Sequence, residues 1–151
     1  MSFDLAAVLS IDLLDDDLKE GCDGIVTVFQ EGYCHALALA LHDATGWPIW
    51  SLKIAKGSDR GYDEHFLVAD PDGNLLDVHG TNSPEDVIAY WNCLNNIPAD
   101  VDFYYLEEVS AEYIWGLINR VWAEPVEPVA DLACEATRIL LAAEYNIPFA
   151  A

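Results

Sequence analysis

The chain reads as a single α+β domain: a central helix packed on a small antiparallel sheet, with further helices in the C-terminal third. Three observations lead there. The stretch from about Tyr33 to Ala44 has helical character yet is apolar nearly all round, through Ala36, Leu37, Ala38, Leu39, Ala40 and Leu41. A helix without a polar face belongs inside a protein. It is followed by short extended runs and a hairpin signal at Asp70-Pro71-Asp72-Gly73, and then by two or three helical patterns with recognisable starts.

Taken in order, Phe3 to Leu18 spaces its apolar residues helically, with Asp12, Asp15 and Asp16 on the wet side. Gly21-Cys22-Asp23-Gly24 interrupts it, and Ile25 to Phe29 is a short extended run. The central helix ends at Gly46 and Pro48, a left-handed cap and a stop. Ile49 to Ile54 alternates, with Trp50, Leu52 and Ile54 on one face and Ser51 and Lys53 on the other, so a half-buried strand is expected. Lys56 to Tyr62 is a polar loop. His65–Ala69 and Leu75–His79 form a hairpin, whose proline at the second turn position and glycine at the fourth suit a type I turn followed by a bulge. Ser83-Pro84-Glu85-Asp86 is a helix start with cap, proline and first-turn acids. Asp102–Glu107 is a strand, Ser110 caps a helix to about Trp122, and a proline-stiffened link at Glu124–Pro128 leads to a last helix, Val129–Tyr145. There Leu132, Ala136, Ile139, Leu140 and Ala143 make an apolar stripe.

With 151 residues, 53% of them hydrophobic, the chain can bury a real core. Its formal charge of -21 is spread along the sequence and not gathered in a tail. Such a surface repels nucleic acid and anionic lipid and attracts a basic protein or peptide. Adaptation to high salt accounts for it simply; imitation of a phosphate backbone, so as to occupy a DNA-binding groove, is the sharper alternative. Cys22, Cys34, Cys93 and Cys134 are scattered without a C-x-x-C pair, which gives no sign of a metal site and fits a reducing cytoplasm. No signal peptide or membrane span is expected from the sequence.

Chemistry concentrates between Glu31 and Gly80. Cys34 opens the central helix, where backbone N–H groups favour a thiolate and can hold an oxyanion. His65 opens a strand. If the bulged turn pairs Asp70 with Asn74, paired numbers sum to 144, so His65 faces His79 and Leu67 faces Asp77, all on one side of the ribbon. Asp77 is then diagonal to His65, in position to orient the imidazole. A one-residue slip would move Asp77 to the other face. His79 would line the site. Gln30, just ahead of the cysteine, could donate its amide to an oxyanion, although a solvated loop glutamine is the simpler reading. His35 points to a different helix face from Cys34 and is a weaker base candidate than His65.

Gly32-x-Cys34-x-x-x-Ala38, His65 opening a strand, and Gly73-x-x-x-Asp77 together resemble the papain-like fold in its transglutaminase-like arrangement. One position departs: His35 and Ala36 stand where an aromatic residue usually follows the cysteine. The resemblance implies a cofactor-independent Cys-His-Asp acyl-transfer site, with Cys34 as nucleophile, His65 as general base and Asp77 orienting His65. Peptide or isopeptide hydrolysis, deamidation and amide cross-linking are the activities it implies. The group also includes inactive members that serve as binding scaffolds.

Overall fold

A computed structural model describes residues 33–120 and 127–147 of the chain. The expected helix over Phe3–Leu18, the strand over Ile25–Phe29, Gln30, and the Glu124–Val126 part of the proline link lie outside the described residues. In chain order the elements are α1 (Cys34–Thr45), β1 (Ile49–Ile54), β2 (Asp63–Ala69), β3 (Leu75–Asp77), β4 (Gly80–Asn82), α2 (Pro84–Leu94), β5 (Tyr104–Val109), α3 (Ala111–Arg120) and α4 (Glu127–Tyr145). Among the described residues the architecture is mixed: helices combined with a five-stranded antiparallel sheet in the order β4-β3-β2-β1-β5. Among the described residues no helix is long and apolar enough to cross a membrane.

Both faces of the sheet are covered. On one side Ile49, Phe66, Val68 and Leu76 pack with Leu37 and Leu41 of α1, Ile114 and Ile118 of α3, and Leu132, Ala136 and Leu140 of α4. On the other, Leu52, Leu67, Ala69 and Leu75 pack with Val87 and Trp91 of α2. Double coverage corrects the expectation for β1. Its Ser51 and Lys53 side is buried too, at 0% and 8% exposure. The polar groups there survive because they bond one another. Ser51 Oγ donates to Asp63 Oδ1 at 2.6 Å, Tyr113 of α3 donates to Asp63 Oδ2 at 2.7 Å, and Lys53 Nζ donates to the Tyr113 hydroxyl at 3.1 Å.

Local signals set the joints. Gly46 ends α1 at φ 74° with its N–H on the His42 carbonyl, a left-handed cap that a side chain would strain. Ser83 Oγ accepts from the Asp86 N–H at 3.1 Å, with Pro84 opening α2, and Ser110 Oγ accepts from the Tyr113 N–H at 3.0 Å to cap α3. Helix α4 begins at Glu127, two residues ahead of expectation, since proline fits a first helical turn.

The β2–β3 turn decides how His65 and Asp77 are set against each other. Asp70 Oδ1 accepts from the N–H groups of Asp72 and Asn74 at 2.9 and 3.0 Å, and Gly73 takes φ 84°. The Asp70 N–H donates to the Asn74 carbonyl, and Val68 pairs with Leu76 and Ala69 with Leu75. This is the register that sums to 144. From the far side Tyr145 of α4 donates to Asp70 Oδ2 at 2.8 Å while its ring packs edge-on against Trp47.

Candidate functional site

Because α1 starts at Cys34, its thiol stands at the helix entrance, half-buried. Tyr33 precedes it in the capping position without a side-chain cap. The Tyr33 carbonyl accepts the Ala36 and Leu37 N–H groups at 3.0 and 3.4 Å, and no side-chain oxygen of Tyr33 covers the amides ahead of them, where an anion would be met.

His65 is fully buried, and its Nε2 lies 2.8 Å from Asp77 Oδ2. The other carboxylate oxygen of Asp77, Oδ1, accepts the His79 N–H at 2.8 Å, so the acid is held from two sides. Nδ1 of His65 is sealed from solvent with no formed hydrogen bond, yet Cys34 is close enough to act on the ring electrostatically. Burial alone would drive the ring towards its neutral form. Burial is the largest single effect, but the bond to Asp77, the adjacent Cys34 and the charge of Asp77 together overcome it, and the imidazole is pushed up to about 10. The ring is thus an imidazolium at neutral pH, with one nitrogen on a carboxylate and the other available to the thiol.

Two features aim this ring. Leu52 pairs with His65 but Lys53 pairs with Asp63, leaving Glu64 as an extra residue, a bulge of the kind that redirects a neighbouring side chain. In addition β3 stops pairing with β2 at Leu76, so β3 does not cover the edge of β2 beside His65. The ring can then lie where the two packing layers meet, with Cys34 from the α1 layer on one side and Trp91 from the α2 layer on the other. The His65 and Trp91 ring centroids are 5.0 Å apart, tilted by 38°. Trp91 is 5% exposed and helps to exclude water from the His65–Asp77 bond.

His79 does not stand across from His65. Asp77 pairs with Gly80, so Val78 and His79 form a tight turn that sends the chain back along β4. The His79 ring instead packs 5.0 Å from that of Tyr90 and lines a cleft with Asp77. His35 is 4% exposed, and burial lowers it to about 4, which leaves it neutral and within the α1 packing. Among the described residues no group of three His, Cys, Asp or Glu side chains is placed to hold a metal ion.

Sequence reading missed the Glu64 bulge and the part taken by Trp91 and Tyr90. The bulge has no local signature in Gly61-Tyr62-Asp63-Glu64. The aromatics had one: the Ser83-Pro84 helix start fixes the phase of α2, which places Asp86 with Tyr90 and Val87 with Trp91 as i, i+4 pairs on adjoining faces. No protein-family model, curated protein or solved structure matches the chain.

Proposed function

We propose that the protein is a thiol-dependent acyl-transfer enzyme of papain-like fold in the transglutaminase-like arrangement. Its reaction is hydrolysis, deamidation or amine transfer at an amide carbonyl. The observation that carries the reading is the His65–Asp77 bond at 2.8 Å, with the second ring nitrogen left for Cys34 at a helix entrance.

Cys34 and His65 work as a thiolate–imidazolium pair, the thiol's proton resting on the ring, and the sulfur adds to the carbonyl carbon. The oxygen becomes negative and is met by amides of the first turn of α1. As the C–N bond breaks, the imidazolium proton passes to the departing nitrogen, leaving a thioester on Cys34. Water or an amine, deprotonated by His65, then attacks the thioester, and the sulfur departs as thiolate beside the restored imidazolium. Asp77 keeps the ring in one orientation and stabilises its charged form throughout.

Incubation with p-nitrophenyl acetate followed by peptide mass spectrometry tests this. An acetyl group on Cys34, formed in a burst and absent from the Cys34→Ala and His65→Gln variants, is the expected result. Acetylation spread over Cys93 and Cys134, or a Cys34 adduct indifferent to His65→Gln, would remove the enzyme reading.

The charge of -21 favours a second reading, a non-enzymatic acidic binder of a basic protein, acting as a nucleic-acid mimic or as an inactive scaffold of the same fold. Its binding would weaken steeply with salt and survive Cys34→Ala.

A further inference from the structure

The cleft between α2 and the β3–β4 hairpin adjoins the proposed triad but has no part in the bond-making steps. We propose that it is a subsite for the protonated side chain of a lysine or arginine in a peptide whose neighbouring carbonyl is presented to Cys34. This rests on the acyl-transfer reading and adds the substrate class to it.

Size comes first. The cleft encloses about 190 Å³. At about 30 Å³ per water that is room for roughly six waters, well short of the roughly 300–1,000 Å³ of a site that engulfs a whole small molecule. One long side chain fills it.

Charge and shape select which side chain. Asp86, Val87, Tyr90 and Trp91 form the helix wall, and Asp77 and His79 form the hairpin wall. Asp86 brings a carboxylate, whereas the charge of Asp77 is balanced by the His65 imidazolium, and among the described residues neither lysine nor arginine lines the space, so a cation is favoured over an anion. Tyr90 leaves 42% of its surface exposed at the mouth, where the ring can receive a cation. Val87 supplies an apolar floor for a methylene stem, as lysine and arginine side chains require.

Position links the cleft to the chemistry. Asp77 belongs to both, with Oδ2 on His65. A continuous series of rings runs from the cleft to the base: His79 to Tyr90 at 5.0 Å, Tyr90 to Trp91 at 6.1 Å, and Trp91 to His65 at 5.0 Å. A side chain seated here lies against the groups that hold the imidazole.

Two arms test the proposal on the full chain. In the first, the chloromethyl ketones of acetyl-lysine and acetyl-norleucine compete for Cys34, with iodoacetamide as a probe of the thiol alone. The lysine reagent should label about tenfold faster, and the ratio should fall towards one in Asp86→Asn and in Tyr90→Ala. Equal labelling by the two reagents, or a preference that both variants retain, overturns the subsite. In the second arm, acetyl-lysine methylamide is titrated into the Cys34→Ala protein and followed by NMR. Shifts centred on Asp86, Val87 and Tyr90, absent with the norleucine analogue, support the subsite; shifts elsewhere or none overturn it. If no reagent singles out Cys34, the acyl-transfer reading fails, and the second arm alone decides whether the cleft binds a cation.

Discussion

His65 carries two interactions through one ring, and each sets a measurable property. Its charged form is held to about pH 10 in the folded chain against 6.5 as the ordinary value. A group whose pKa is raised by folding stabilises the fold fully below its unfolded value, so this contribution is complete below about pH 6.5. It fades as pH rises through about 10. NMR titration of the imidazole should show a charged ring across the neutral range, and Asp77→Asn should lower its pKa. The same variant should lose about 3 kcal/mol of stability, because it leaves a buried imidazolium without its counter-charge. A ring that titrates near its ordinary value in the wild-type chain would contradict this. The pairing of His65 with Asp77 was legible in the sequence because Asp70, Pro71 and Gly73 leave little freedom in the turn, and the turn dictates the register. The place of His79 was not. Gly80 returns the chain one step past Asp77, and a continuing strand and a tight turn look alike in Leu75-Leu76-Asp77-Val78-His79.

Among the elements, β1 shows what local pattern omits. Alternation in Ile49–Ile54 correctly signals a strand, but it sorts residues by polarity, and polarity equals exposure only when one face is open to water. Here α3 covers the polar face, and Tyr113 converts Ser51, Lys53 and Asp63 into a bonded cluster. Burial disfavours the charge on Lys53, but the Tyr113 hydroxyl and the nearby Asp63 and Glu107 carboxylates overcome it and hold the lysine above its usual range. Lys53 Nζ lies 3.6 Å from Asp63 Oδ1, with both side chains at most 10% exposed. Lys53→Met and Asp63→Asn should each cost about 3 kcal/mol in urea unfolding. The double variant should cost less than the sum by about 1 kcal/mol or more. Strict additivity would mean that the two do not depend on one another. The cluster also fixes Asp63 next to the Glu64 bulge, so the same bonds that settle β1 against α3 help to direct His65.

For the molecule as a whole, the proposed site depends on elements that meet only in the folded chain: a thiol from α1, a ring from β2, a carboxylate from β3 and a covering indole from α2. The sequence revealed the helix, the hairpin and the caps, each being local. It did not reveal that β5 lies beside β1, or that α2 covers the face opposite α1, because those are matters of packing between distant segments. The most direct test of the gathering is iodoacetamide alkylation resolved cysteine by cysteine, at about pH 6 where ordinary thiols are almost entirely protonated. Cys93 and Cys134 are exposed whereas Cys34 is half-buried, so access alone favours the other two. Coupling to His65 predicts the reverse order: Cys34 modified about tenfold faster or more, with the advantage lost in His65→Gln. Cys34 lagging behind Cys93 and Cys134, or keeping its rate without the imidazole, would contradict the account.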